Sequence, residues 1–110
     1  MGKEMVKFAD TELKLKKDIK KGDKESLLSL FSAEERFKHM EVLIDADEDS
    51  ILKVVLEGLG EADLRLGDDM EKGQKKTIMT LFWYSERSKS IEMKRDAEAG
   101  ESIKISIWES

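Results

Sequence analysis

The residues with the clearest chemical potential are a run of acidic residues, Asp45-Ala46-Asp47-Glu48-Asp49. Carboxylates at alternate positions are how an EF-hand loop begins to wrap a calcium ion. The rest of that motif is missing, because Ser50 stands where the loop needs glycine and Leu56 stands where it needs a bidentate glutamate. We therefore expect these acids to form a solvated loop whose charge favours the start of a following helix, with no bound metal.

His39 is the only histidine and could act as a general base. On a helix it falls away from the apolar stripe of Phe37, Met40 and Ile44, so we expect an exposed surface histidine. The chain has no cysteine, which excludes disulfides and thiolate metal sites. A Ser-His-Asp triad assembles in space and cannot be inferred from spacing. We expect no catalytic residue and no cofactor, and the residues favour a non-catalytic role without deciding it.

A cluster of lysines near the start is the best candidate for contact with phosphates. Residues 1–24 carry eight lysines against five acidic residues, a net charge of +3, whereas residues 34–72 carry five basic and thirteen acidic residues, a net of −8. Glu12 and Asp18 dilute the basic cluster, and interspersed charges are more typical of a solvated helix. Nucleic-acid binding therefore stands as an alternative. The candidate phosphate contacts are Lys14, Lys17, Lys20, Lys21 and Lys24, with Lys16 among them in sequence.

Aromatic residues suggest a surface for a protein partner. Trp83 and Tyr84 are predicted on opposite faces of a central strand, with one of them in the core. Trp108 alternates with Ile107 and so points to the wet face of the sheet, beside Lys104. Tryptophan is enriched among residues that dominate binding energy. The predicted partner surface consists of Trp83, Tyr84, Lys104 and Trp108, and the partner is another protein or a second copy of this chain, which would form a homodimer through the sheet.

The first half of the chain shows helix signals. Four helices are predicted, over residues 3–21, 24–31, 33–44 and 51–59. Ser32 and Glu35 have the spacing of a capping box. The first segment is ambiguous, because the pairs Val6 with Phe8 and Leu13 with Leu15 fit the period of a strand.

After Gly60 the apolar period changes from 3.6 to 2, which predicts an antiparallel meander with one dry face. A nearly continuous apolar run over residues 76–84 is typical of a strand covered on both faces, with a turn following over residues 85–88. Residues 97–101 are predicted as a hairpin loop. The residues assigned to the dry face are Leu64, Leu66, Ile91, Met93, Ile103, Ile105 and Ile107.

These patterns predict one α+β domain over residues 1–110, with N-terminal helices packed on one face of a C-terminal antiparallel sheet of about four strands. The helical half spans about 1–60 and the β-meander about 61–110, with no internal repeat and no linker. The sequence lacks an apolar run long enough to span a membrane and a recognisable signal peptide, so we expect a cytoplasmic protein. Absence of cysteine and asparagine, with abundant lysine and glutamate, fits a thermophilic source, chance or a designed sequence.

The stretch from Asp18 to Ser32 resembles the helical hairpin that opens nuclear transport factor 2-like domains. That resemblance implies a cone-shaped domain that binds a small ligand or carries out simple acid-base chemistry, although no acid–histidine pair can be matched onto a family active site. The leading hypothesis is a small non-catalytic protein-binding or regulatory module. The cone domain and the nucleic-acid binder are its two alternatives.

Overall fold

The computed structural model describes residues 4–109, and strands run through both halves of the chain. The elements in order are β1 (Val6–Lys14), β2 (Lys24–Glu25), α1 (Leu27–Leu30), α2 (Ala33–Arg36), β3 (Met40–Glu41), β4 (Ile51–Leu56), β5 (Gly60–Arg65), β6 (Lys75–Lys76), α3 (Ile78–Leu81), α4 (Tyr84–Arg87), β7 (Ile91–Glu92) and β8 (Ser102–Glu109). The predicted fold class, with helices in residues 1–60 and a meander in 61–110, is therefore wrong. None of the helices within the described residues has the length and apolar character needed to cross a bilayer.

The main sheet has four antiparallel strands in the order β1-β8-β4-β5. Thr11 on β1 lies opposite Ile105 on β8, and Val55 on β4 lies opposite Ser106 on β8. β2 with β7 and β3 with β6 form two small antiparallel ladders outside the main sheet. An antiparallel four-stranded sheet was predicted, but half of its strands come from the segment expected to be helical.

The second half of the chain repeats the first, contrary to the expectation of no internal repeat. Ser26 caps α1 and Thr77, 51 residues later (26 to 77), caps α3 in the same way. Across β4 and β8, Val55 faces Ser106, and these two positions are again 51 apart (55 to 106). A residue that faces its own equivalent lies on a two-fold axis, so a pseudo-two-fold axis passes between β4 and β8. We call β1–β4 the first repeat and β5–β8 the second repeat.

The two repeats are interlocked, because most pairings join one repeat to the other. The outer strand of each repeat, β1 or β5, pairs with the last strand of the other, β8 or β4. The short ladders also exchange strands between the repeats. The main sheet therefore contains strands of both repeats.

The helices predicted over 3–21 and 51–59 are strands. In β4, Leu52, Val54 and Leu56 are fully buried and alternate with more exposed residues, which is the period of a strand. In β1, the buried Leu13 lies opposite Ile103 on β8, so the strand alternative was the correct one, although a bulge at Phe8 interrupts the alternation and leaves Val6 exposed. Lys3, where the first helix was predicted to begin, lies outside the described residues.

The strand predicted over 76–84 is also wrong. Thr77 and Thr80 form a reciprocal cap, and α3 begins directly after it, burying Ile78 and Leu81 three residues apart. The predicted turn over 85–88 falls largely in α4. The helices predicted over 24–31 and 33–44 shrink to the single turns α1 and α2. The loop over 97–101 does not close a hairpin, because β7 pairs with β2 and not with β8.

The predicted dry face is buried, but it does not belong to one sheet. β8 buries Ile103, Ile105 and Ile107 as its alternation predicted. Ile91 belongs to the ladder of β2 with β7, and Leu66 forms an isolated bridge to Phe82. All seven predicted residues are at most 2% exposed, and they share a core with residues of the first repeat such as Leu52 and Phe31.

Candidate functional site

The N-terminus of α4 carries two exposed aromatic residues where the first repeat has small ones. Trp83 is the N-cap residue of α4 and makes no side-chain cap hydrogen bond. At the equivalent position of α2, Ser32 accepts a hydrogen bond from the Glu35 N–H. Trp83 is 57% exposed and Tyr84 is 68% exposed. The expectation that one of the two aromatics is a core residue is wrong, because both lie on a surface helix.

The ring of Trp83 lies close to Gly67. A Cβ atom at Gly67 would come to 3.0 Å from the Trp83 ring, so a larger residue there would require the indole to shift by a few tenths of an ångström. The first repeat has Lys16 at the equivalent position and no aromatic to seat. The indole therefore packs near Gly67 while most of its surface remains in solvent.

Two arginines, one from each repeat, converge beside this helix. Arg36 at the end of α2 and Arg87 at the end of α4 each donate Nε–H to a backbone carbonyl, that of Phe31 at 2.9 Å and that of Phe82 at 2.8 Å. Both also donate from Nη1 to the sulfur of Met79, at 2.9 and 2.8 Å. Both side chains are half-buried. One sulfur atom thus brings two like-charged groups together near the pseudo-two-fold axis.

The electrostatics of the pair are those of a cationic centre. Burial and the charge of Arg36 lower the pKa of Arg87. The guanidinium of Arg87 lies 5.8 Å from the centre of the Tyr84 ring, within cation–π range. Within residues 4–109, neither arginine forms an ion pair with a carboxylate.

Glu35 and Glu86 fasten the two helices that carry the arginines to the sheet. Glu35 accepts the backbone N–H of Lys14 at 2.7 Å, and Glu86 accepts that of Arg65 at 2.6 Å. The hydrogen bond from Lys14, aided by Lys38, lowers the pKa of Glu35. Burial alone would raise the pKa of Glu86, but hydrogen bonds from Lys89 and from the Arg65 N–H outweigh it, and the pKa falls. The two acidic neighbours of the arginines are therefore already engaged elsewhere.

The other predicted surface residues, Lys104 and Trp108, lie on β8 and not on α4. Trp108 is half-buried: its indole N–H donates to Ser106 Oγ at 2.9 Å, and Lys7 Nζ lies 5.5 Å from the centre of its ring. Lys104 is exposed on the same, outer face of the sheet. The four residues predicted as one surface thus belong to two separate elements.

The predicted phosphate-contact lysines lie on a segment rich in carboxylates. Lys17 Nζ is 2.8 Å from Glu25, and Lys24 Nζ is 3.8 Å from Glu92. Lys20 lines an open cleft together with five acidic residues, and the Lys21 N–H donates to one of them, Asp96. Lys14 lies at the end of β1, exposed on the strand. The acids that line the cleft are Asp18, Asp23, Asp96, Glu98 and Glu101.

The acidic run that resembled an EF-hand has a structural use. Asp45 accepts the backbone N–H of Lys72 at 2.6 Å, and Asp69 accepts that of Glu48 at 2.7 Å. The run precedes β4, so the helix expected after it is absent. Across residues 4–109, no three potential ligands of the His, Cys, Asp or Glu type are grouped to hold a metal ion. His39 is exposed, as predicted, although it lies between α2 and β3 and not within a helix.

Sequence reasoning missed Arg36, Arg87 and Met79. The available signal was the internal repeat, which places Glu35-Arg36 and Glu86-Arg87 at equivalent positions. The hairpin resemblance loses its structural basis, because residues 18–32 form a bridge at Ile19, then β2 and α1.

A scan against protein-family models, a search of curated proteins and a search of solved structures each found nothing that matches this chain.

Proposed function

We propose that the chain is a small non-catalytic protein-binding module whose recognition surface is centred on Trp83 and Tyr84. The observation that carries the proposal is the difference between the repeats at these two positions. The first repeat has Ser32 and Ala33 there, a capping serine and a small helix former. The second repeat has two large aromatics that are mostly exposed.

The aromatic pair is unfavourable for the fold by itself. An N-cap serine stabilises a helix by about 1 kcal/mol relative to a residue that cannot cap, and Trp83 forgoes that contribution. Exposed aromatic rings also gain little from burial within the chain. Residues that break a local rule without local compensation are expected at functional sites. Rigid aromatic rings bring large contact area to a protein interface, which supports partner binding as their use.

The experiment replaces the pair by its counterparts in the first repeat. A Trp83→Ser/Tyr84→Ala variant and the wild-type protein are used as baits for affinity capture. The dissociation constant of each protein that the wild type captures is then measured for both baits by calorimetry with purified components. We expect binding to weaken about 30-fold, corresponding to about 2 kcal/mol for a hot spot.

The matched control is Phe37→Ser, which also removes an exposed aromatic ring and also installs the residue of the other repeat, Ser88. It should leave the affinity nearly unchanged. A partner that binds the double variant as tightly as the wild type would remove Trp83 and Tyr84 from the interface and overturn the proposal.

A second candidate is homodimerisation through the outer face of the sheet. It is supported by Ile51, 49% exposed, and Met5, 40% exposed, which border the same shallow depression as Trp108. Sedimentation equilibrium of the wild type and of Ile51→Lys tests it. A wild-type monomer at high concentration excludes this candidate without affecting the first.

A further inference from the structure

The arginine pair has hydrogen-bonding capacity that the chain does not use. A guanidinium has five N–H donors. In each of Arg36 and Arg87, within the part of the chain that the structure describes, one donor meets a backbone carbonyl and one meets the Met79 sulfur. A thioether is a weak acceptor. Most of the donor strength of both groups is therefore available to a ligand.

Hydrogen bonds to the backbone orient both arginine side chains of the pair. The Nε–H bonds to the Phe31 and Phe82 carbonyls fix the plane of each guanidinium relative to its own helix. Arg36 comes from α2 and Arg87 from α4, so the two repeats deliver the two groups to the same point. Leu28 occupies the position equivalent to Met79. The second repeat alone supplies the sulfur that both arginines contact.

The surroundings leave the pair short of negative charge. Glu35 and Glu86, the residues that precede the arginines, direct their carboxylates to Lys14 and Lys38, and to Arg65 and Lys89. Two adjacent guanidiniums repel each other, and an anion bound between them would relieve that repulsion. Arginine forks match the planar, two-oxygen shape of a carboxylate.

We propose that Arg36 and Arg87 form a carboxylate-binding centre beside Trp83 and Tyr84, and that the partner segment docking there is acidic. This inference rests on the proposed protein-binding function, because that function makes the ligand part of a protein. Tyr84, in cation–π contact with Arg87, joins the aromatic and the cationic parts of the surface.

The test follows the arginine Nε–H signals in ¹H–¹⁵N spectra during titration with a blocked hexaglutamate peptide. The chain has four arginines, and two of them serve as internal controls: Arg95, which is paired with Glu101, and Arg65 on β5. We expect saturable shifts of the Arg36 and Arg87 signals, with Arg65 and Arg95 nearly unmoved. A parallel titration uses inorganic phosphate.

Variants that keep the positive charge test whether binding depends on the two-donor geometry of the guanidinium group or on charge alone. Arg36→Lys and Arg87→Lys should each weaken hexaglutamate binding about tenfold, whereas Arg95→Lys should not change it. Thermal unfolding verifies that each variant folds, and the wild-type titration decides the matter if one does not.

Three results would overturn the inference: no saturable shift with hexaglutamate, equal shifts at all four arginines, or a response to phosphate without a response to the peptide. Its failure is distinguishable from that of the proposed function. Loss of peptide binding in the lysine variants with unchanged partner binding in Trp83→Ser/Tyr84→Ala would keep the carboxylate site and reject the aromatic surface.

Discussion

The two repeats share their scaffold and differ in what they expose. Both end their second helix with a Glu-Arg pair, and both glutamates accept a backbone N–H from the strand that begins the repeat. In both, an aspartate near the last long strand accepts a backbone N–H of the other repeat, Asp45 from Lys72 and Asp96 from Lys21. The same stabilising hydrogen bonds therefore occur at equivalent positions in both repeats.

The repeats differ at many positions, and one group of these differences lies at the start of α4 and in the adjacent α3. The second repeat has Trp83, Tyr84 and Met79 where the first has Ser32, Ala33 and Leu28. None of the three substitutions improves the packing of the core, because Trp83 and Tyr84 are exposed and Met79 is half-buried. In a duplicated fold, the shared positions identify what stability needs, and the unshared exposed positions identify where to look for binding.

The largest effect is expected in the shared core. Ile105 on β8 and its equivalent Val54 on β4 are both fully buried beside the pseudo-two-fold axis. An uncompensated buried charge costs about 3–5 kcal/mol, so Ile105→Asp and Val54→Asp should both unfold the domain. Circular dichroism and chemical denaturation measure this.

Two neighbouring lysines provide the controls, Lys104, which is exposed, and Lys53, which is half-buried. Lys104→Gln and Lys53→Gln should change the free energy of unfolding by less than about 0.5 kcal/mol. A folded Val54→Asp variant alongside an unfolded Ile105→Asp variant would show that the two repeats do not contribute equally to one core.

The burial of Ile105 in a strand could be predicted from the sequence, whereas that of Val54 could not. β8 alternates Ile103, Ile105 and Ile107 with polar residues, so only a strand fits it. β4 has apolar residues at nearly every position over 51–56, which satisfies both the helical and the strand period. Its partners β5 and β8 decide the matter, and such long-range pairing is not encoded in the local pattern.

The internal repeat could have been found by comparing the sequence with itself. Leu30-Phe31 recurs as Leu81-Phe82, and Asp45-Ala46 recurs as Asp96-Ala97, all at the same separation. Because β4 and β8 occupy equivalent positions in the two repeats, the clear strand pattern of β8 would then have predicted a strand at β4 as well. The contact of two arginines with one methionine could not be predicted, because it depends on how the repeats interlock.

The second prediction concerns the equivalent glutamates. The pKa of each is lowered from the ordinary value of 4.5, so each carboxylate stabilises the fold above about pH 4.5 and loses that contribution as the pH falls through its folded-state pKa. Glu35→Gln and Glu86→Gln should each cost about 1–2 kcal/mol at pH 7 and progressively less below pH 4.5.

Urea denaturation from about pH 3 to about pH 7, a range that spans the ordinary carboxylate pKa, measures the free energy of unfolding of both variants. The exposed Glu34 gives the control, because Glu34→Gln should leave the stability nearly unchanged at every pH. A cost that stays constant with pH would mean that the glutamates act through packing and not through their charge.

The third prediction isolates the missing cap. Ser32→Ala removes a cap hydrogen bond and should cost about 1 kcal/mol. Trp83→Ala and Trp83→Ser lose the same ring, but only serine can accept from the backbone of α4. Trp83→Ser should therefore be more stable than Trp83→Ala by about 1 kcal/mol in thermal or chemical unfolding. Equal stabilities would show that the backbone at position 83 is set for the indole and not for a cap.

The smallest effect is expected at the turn before the last strand of each repeat. Asp49 has a φ of 71°, in the left-handed region, where its equivalent Gly100 has a φ of 89°. Both donate a backbone N–H to the other repeat, Asp49 to Leu66 at 3.2 Å and Gly100 to Leu15 at 2.8 Å. Glycine adopts this conformation without strain but loses more chain entropy on folding, so Asp49→Gly should stabilise the domain by only about 0.5 kcal/mol.

The neutral variant Asp49→Asn separates the backbone effect from the relief of repulsion within the acidic run, because asparagine tolerates the left-handed region. The reverse substitution, Gly100→Asp, should destabilise by about 1 kcal/mol. If Asp49→Gly instead lowers the melting temperature, the aspartate side chain itself stabilises the turn. The 3.2 Å hydrogen bond from Asp49 to Leu66 would then indicate that this turn differs in kind from the turn at Gly100.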